Sequence, residues 1–156
     1  MKAAPLIAVA ALAASLSACM EDEPIGPTCN EITNTQSARN GDTITLSTGL
    51  RYIETSVGAG LAARSCRGVA VSYVGMFTSG ARFDSASFQF TPGLGELIAG
   101  FEQGVVGMQV GGRRRLIIPP ALAYGAQDRV DRQTGRVIIP GNSTLVFDLT
   151  LNGVQQ

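Results

Sequence analysis

Histidine is absent from this chain of 156 residues. That absence excludes Ser-His-Asp and Cys-His nucleophile systems and any metal site built on imidazole. Tryptophan is absent too, so the aromatics are three tyrosines and six phenylalanines. Charge is scarce, at 15% of residues, and it balances, with 12 basic against 12 acidic groups. No strong field is available to draw in nucleic acid. Lys2 is the sole lysine, and every other basic residue is arginine. The N-terminal apolar stretch, Leu6 to Leu16, runs for ~11 residues and falls short of the ~20 needed to cross a bilayer. What remains is a chain with 45% hydrophobic residues, long enough for one domain with an ordinary core.

The first residues read as an export signal: Lys2 as the positive start, then the short apolar stretch. It ends in Leu16-Ser17-Ala18-Cys19, which resembles the bacterial lipobox. The resemblance implies lipidation of Cys19 and removal of residues 1–18. Ordinary secretion with cleavage near Ser17 is the competing reading, but it favours a small residue where Leu16 stands. Two or more acyl chains anchor a protein stably, so a cell-envelope lipoprotein is expected. In enteric-type sorting, Met20 after the cysteine favours the outer membrane.

Residues 19–40 are expected to be a lipidated cysteine and a flexible tether. The run from Met20 to Asn40 is acidic, then Gly- and Pro-bearing, then polar, with no periodic apolar face. From Gly41 the pattern changes, and residues 41–156 are assigned to a single domain. Thr43–Leu46 and Leu50–Glu54 alternate like half-buried strands, and Val69–Phe77 is a longer one. Arg82–Asp84 and Phe88–Thr91 read as short extended pieces. Glu96–Val105 is the one convincing helix, with Leu97, Ile98, Phe101 and Val105 as its apolar stripe and Glu96 in its first turn. Gly100 within it points to a helix backbone packed closely on a sheet. Arg113–Ile118 and Thr144–Leu151 complete the strands. Strands with one short helix argue an α+β fold, an antiparallel sheet covering a helix.

Eight of the nine aromatics lie between Val69 and Leu151, along with one acid beside an aromatic, Phe83-Asp84. This is the composition of a greasy pocket with few polar groups. The motifs SYVGMF, ARFDSA, ASFQF, GELIAGF, ALAYGA, VIIPGN and TLVFDL resemble the FK506-binding family of peptidyl-prolyl cis-trans isomerases. The likeness is specific over Gly68 to Gly153 and fades toward Gly41. It implies a strongly twisted antiparallel sheet of about five to six strands wrapped over the helix, with an aromatic cup between them that accepts proline. Position by position, it implies Tyr73, Phe83, Asp84, Phe101 and Tyr124 as the catalytic set, with Phe88, Leu97, Ile98, Ile139 and Phe147 as substrate-binding residues. The Tyr124 hydroxyl and the Ile98 main-chain N–H would donate to substrate carbonyls, and Asp84, with Tyr73 near it, would orient and polarise. The best-known members have Trp on the cup floor where this chain has Phe101, which puts macrolide affinity in doubt more than activity. Some exported members of this family carry long dimerising helices ahead of the domain; the run from Met20 to Asn40 is too short for one, so a monomer is expected.

The chemistry implied needs no nucleophile, metal or cofactor. An X-Pro amide turns slowly because resonance must be lost. The twisted amide is less polar than the planar one, so a dry pocket favours the transition state. The expected partner is a proline-containing peptide or an unfolded exported protein, with a macrolide as a possible inhibitor. The alternative function is a proline-peptide-binding chaperone module with little turnover. Members built mainly for chaperoning often insert a flap domain after the position of Tyr124, and here 12 residues separate Gly125 from Ile138.

Three features stay open on the residues alone. Arg113-Arg114-Arg115 alternate in a strand, and a solvated sheet surface is the expectation over a nucleic-acid patch. The charged loop from Gln127 to Arg136, with a turn at Thr134-Gly135, is either a pocket rim or a solvated hairpin. Cys29 and Cys66 are either bonded or free buried thiols. Outside the cytoplasm a bond between them would persist.

Overall fold

The computed structural model describes residues 28–34 and 39–155. Cys19 and the leader lie outside the described residues. Among the described residues, eight strands and one α-helix follow in chain order: β1 Thr43–Thr45, β2 Arg51–Ser56, β3 Val69–Phe77, β4 Arg82–Phe90, α1 Ala99–Val105, β5 Arg113–Ile118, β6 Arg129–Val130, β7 Val137–Ile139 and β8 Leu145–Val154. Six of the strands form one antiparallel sheet in the order β1-β2-β5-β8-β3-β4, and β6 with β7 forms a separate hairpin. This is the expected α+β architecture. Among the described residues no helix is long and apolar enough to cross a membrane.

Period-two alternation decides what the sheet buries. On β8, Leu145, Phe147, Leu149 and Leu151 point inward, and on β3 Val69 and Val71 do so. Leu116 and Ile118 of β5 join the same core. Helix α1 packs on them through its glycines: a Cβ on Gly104 would lie 2.5 Å from Leu116 Cδ1, and one on Gly100 would run into Ile118. The glycines let the helix backbone approach the sheet.

Four expectations need correction. The helix begins at Ala99, not Glu96, and the acid in its first turn is Glu102. Ile98 is extended (φ −59°, ψ 138°), and the Leu97 N–H just before it donates to the Glu102 carboxylate at 3.0 Å instead of entering a helical ladder. Second, β4 is one strand: Ser85, Ala86 and Ser87 pair with Val74, Tyr73 and Ser72, so cross-strand pairing overrides their weak strand propensity. Third, Arg114 is not a solvated surface residue. It is 2% exposed. Its guanidinium pairs with buried Glu54, donates to the carbonyls of Gly104 (2.6 Å) and Val106 (3.2 Å), and lies 4.1 Å over the Tyr52 ring. Arg115 faces solvent and binds Asp148.

The fourth concerns the tether. Residues 28–34 lie on the domain. Cys29 and Cys66 are joined, with Cα atoms 5.7 Å apart. Asn30 N–H donates to the Gly93 carbonyl at 2.9 Å, Ile32 N–H to Ser65 Oγ at 2.6 Å, and the Asn34 amide to the Val106 carbonyl at 3.2 Å. Isolated hydrogen bonds, main-chain and side-chain, and a crosslink hold this segment without any apolar periodicity.

Candidate active site

A hollow of about 520 Å³ opens between the sheet and the start of α1. β3 contributes Tyr73, and β4 contributes Phe83, Asp84 and Phe88. The turn into the helix contributes Glu96, Leu97 and Ile98, and the helix itself Ala99 and Phe101. Ala123 and Tyr124 follow the 3₁₀ turn Pro120–Leu122, Arg129 comes from β6, and Phe147 from β8.

The aromatic rings form an interlocked floor. Phe101 is buried and meets Phe147 edge-to-face at 5.3 Å (88°) and Tyr73 at 5.6 Å (79°). Phe83 meets Phe147 at 5.7 Å and 89°. Such pairs add about 0.5–1.5 kcal/mol each beyond area burial, so the cup is shaped before any ligand arrives. Gly75 lets Phe83 lie flat across the strand: a Cβ there would sit 2.7 Å from Phe83 Cζ and 3.1 Å from Phe147 Cε1. Gly75 was not singled out from the sequence, though a glycine inside a strand is itself a sign of close approach.

Polar groups in the cup are few and fixed. The Tyr73 hydroxyl donates to Asp84 Oδ2 in a short hydrogen bond. Asp84 Oδ1 accepts the Ser85 N–H at 2.8 Å. Burial first, then the bond to Asp84, holds the Tyr73 phenol above its ordinary pKa, so it remains a donor. Tyr124 is half-buried, with the Arg129 guanidinium 4.8 Å from its ring centroid. The Ile98 carbonyl accepts the Phe101 N–H at 2.9 Å, and among the described residues the Ile98 N–H has no partner.

Nine of the ten residues expected at the cup line it together. Ile139 does not: it is 6% exposed, sits in the core cluster and pairs with Arg129 across the hairpin. The alternation of β7 turns it inward and leaves Ile138 outside. The charged loop is a hairpin whose Arg129 reaches the rim.

Sequence reasoning missed Glu102. It is 4% exposed, and its carboxylate gathers the N–H groups of Gly93 (2.8 Å), Gly95 (3.3 Å) and Leu97 (3.0 Å). It thereby fixes the turn that presents Leu97 and Ile98. Its partners are main-chain amides, which leave no mark in a sequence.

Fold and cup together define a small α+β domain with an aromatic hollow between its sheet and the start of its helix. A family profile described as FKBP-type peptidyl-prolyl cis-trans isomerase matches residues 61–152. FK506-binding protein 4 of Neurospora crassa is 38% identical over 136 residues, covering 85% of this chain and 27% of that protein. FK506-binding protein 2 of Dictyostelium discoideum is 45% identical over 89 residues, covering 54% of this chain and 62% of that one. Among solved structures, a peptidyl-prolyl cis-trans isomerase from Pseudomonas syringae pv. tomato superposes with TM-score 0.64 at 30% identity, covering 76% of this chain and 84% of that one. AtFKBP13 superposes with TM-score 0.65 at 33% identity, covering 72% and 98%. The chain belongs to the FKBP-type peptidyl-prolyl cis-trans isomerase family. It spans between about a quarter and three-fifths of the length of these two curated relatives.

Proposed function

We propose that this protein is a peptidyl-prolyl cis-trans isomerase acting on X-Pro bonds of proline-containing segments in exported, unfolded proteins. The observation that carries the reading is the convergence of Tyr73, Phe83, Phe101 and Phe147 on one hollow with Asp84 and Tyr124 at its edge. The prolyl ring sits on Phe101. As the amide twists it loses conjugation and polarity, and the dry aromatic wall favours that state over the hydrated planar one. Tyr124 hydroxyl and Ile98 N–H donate to the flanking carbonyls and hold the chain while the bond turns. Asp84, fixed by Tyr73 and Ser85, presents its carboxylate beside the reacting carbonyl as an electrostatic guide and not as a base. Phe88, Leu97 and Phe147 close the walls.

The test is cis-to-trans kinetics on short Leu-Pro and Phe-Pro peptides. Asp84→Val and Tyr124→Phe should each lower kcat/KM by roughly 10-fold or more, the scale of losing one preorganised polar group. Binding of these peptides without turnover would establish the chaperone module instead. Unchanged rates in both variants would remove the assigned roles. A macrolide arm measures how far Phe101 serves in place of an indole.

The chain's organisation is read as a leader over 1–18, a lipidated Cys19 with a short tether, and one monomeric domain. Residues 28–34 dock on the domain, so the domain is read as beginning by residue 28. The envelope anchor rests on Lys2, the apolar stretch and Leu16-Ser17-Ala18-Cys19 alone. A Cys19→Ser variant that stays in the membrane fraction would overturn it.

A further inference from the structure

Beside the cup lies a second hollow, of about 340 Å³, on the far side of Phe83. Phe83 lines both hollows, so one ring is their common wall. Phe77, Val137 and Ile138 supply apolar surface, and Arg82 and Arg136 supply charge. Val137 and Ile138 are exposed large hydrophobics, as is Val130 on the paired strand. Asp131 also borders this hollow, but its Oδ1 accepts the Gln133 and Thr134 N–H groups at 2.8 Å each and closes the hairpin turn. Among the described residues neither Arg82 nor Arg136 makes an ion pair.

The two hollows differ in sign. The cup holds two carboxylates, Asp84 and Glu96, against one guanidinium, Arg129. The outer hollow holds two guanidiniums against one carboxylate already engaged by the turn. A bound peptide crossing from one to the other meets an acidic cup and then a basic, partly apolar shelf. Successive residues of an extended chain advance about 3.3 Å each, so a side chain within a few residues of the proline reaches past a single ring.

We propose that the hollow formed by Arg82, Arg136, Phe77, Phe83, Val137 and Ile138 is an extended substrate subsite that selects a glutamate or aspartate close to the isomerised proline, on one side of it. The inference rests on the isomerase reading of the cup, and it names a specificity that the aromatic cup by itself does not supply. The acidic side chain lays its methylenes on Val137 and Ile138 and its carboxylate between the two guanidiniums. The same side chain on the other side of the proline cannot reach the two guanidiniums and stays near a cup that holds two carboxylates, Asp84 and Glu96, which makes the preference one-sided.

The experiment compares peptides with one Leu-Pro step and Glu, Gln or Lys placed two residues before or two residues after the proline. The wild-type protein should turn over the Glu peptide about five- to tenfold faster than the Lys peptide in kcat/KM on one side only, the scale expected when partly exposed ion pairs replace like-charge contacts. The ratio should shrink as salt is raised. In an Arg82→Gln/Arg136→Gln double variant it should fall to near one while the Gln peptide keeps its rate. A wild-type ratio near one on both sides, or a ratio that survives the double substitution, overturns the subsite. No turnover of any peptide would overturn the isomerase reading instead, and dissociation constants of the same fluorescently labelled peptides would then decide the subsite by the same Glu-to-Lys ratio.

Discussion

Glu102 is a buried acid whose partners are three main-chain N–H groups. Replacing it with alanine strands those donors away from water, at about 1–3 kcal/mol for each left unsatisfied. Glu102→Ala should therefore lose several kcal/mol in urea unfolding, while Glu102→Gln, which keeps an acceptor oxygen, should lose less. In the prolyl-peptide assay the alanine variant should also raise KM, because the turn that carries Leu97 and Ile98 loosens. Tyr73 gives a second prediction at this scale. Its folded pKa is raised above the unfolded value of about 10, by burial first and by Asp84 second. Stability linked to the protonated phenol is fully present below about pH 10 and is lost as pH climbs through the folded value. Alkaline absorbance titration should show a late-ionising tyrosine that disappears in Tyr73→Phe. The pocket aromatics were legible in the sequence because each stands in a motif with fixed neighbours. Glu102 was not, because amide partners carry no residue identity. Arg114 was half legible: alternation set it on the opposite face from its neighbours, but its partner Glu54 lies sixty positions away.

At the scale of the element, α1 shows a conflict between local propensity and packing. Gly100 and Gly104 each cost a helix about 1 kcal/mol against alanine. Gly104→Ala would restore that propensity, yet its Cβ would stand 2.5 Å from Leu116 Cδ1, and overpacking of a filled core costs about 1–3 kcal/mol. The substitution should be neutral to destabilising, and a rise in melting temperature would show that the helix can back away from β5. Gly100 was readable as a sign of close approach, Gly104 was not singled out, and the strands β3, β5 and β8 followed from their alternation. The boundaries near Glu96 and inside β4 were not readable. One is set by a side chain accepting the N–H that a helix would have used, and the other by pairing with β3 along the length of an otherwise polar run.

For the whole molecule, the decisive connection is between residues 28–34 and the domain. A polar stretch without periodicity reads as tether because composition reports only on regular structure. Here the segment is held by a covalent link and by isolated bonds to Gly93, Ser65 and Val106. The crosslink closes a separation of 37 residues, which in the chain-entropy account stabilises the fold by about 3–4 kcal/mol. Reduction, or Cys29→Ser with Cys66→Ser, should lower the unfolding free energy by that order. The cup should respond far less. The Asn30 N–H donates to the Gly93 carbonyl, whereas the Gly93 N–H, with those of Gly95 and Leu97, is held from inside the domain by Glu102. A reduced protein with lower stability but an unchanged rate on a Leu-Pro peptide is therefore the expected result. Equal loss of both would mean that the turn beside the cup depends on the docked segment, and that Glu102 alone does not hold it.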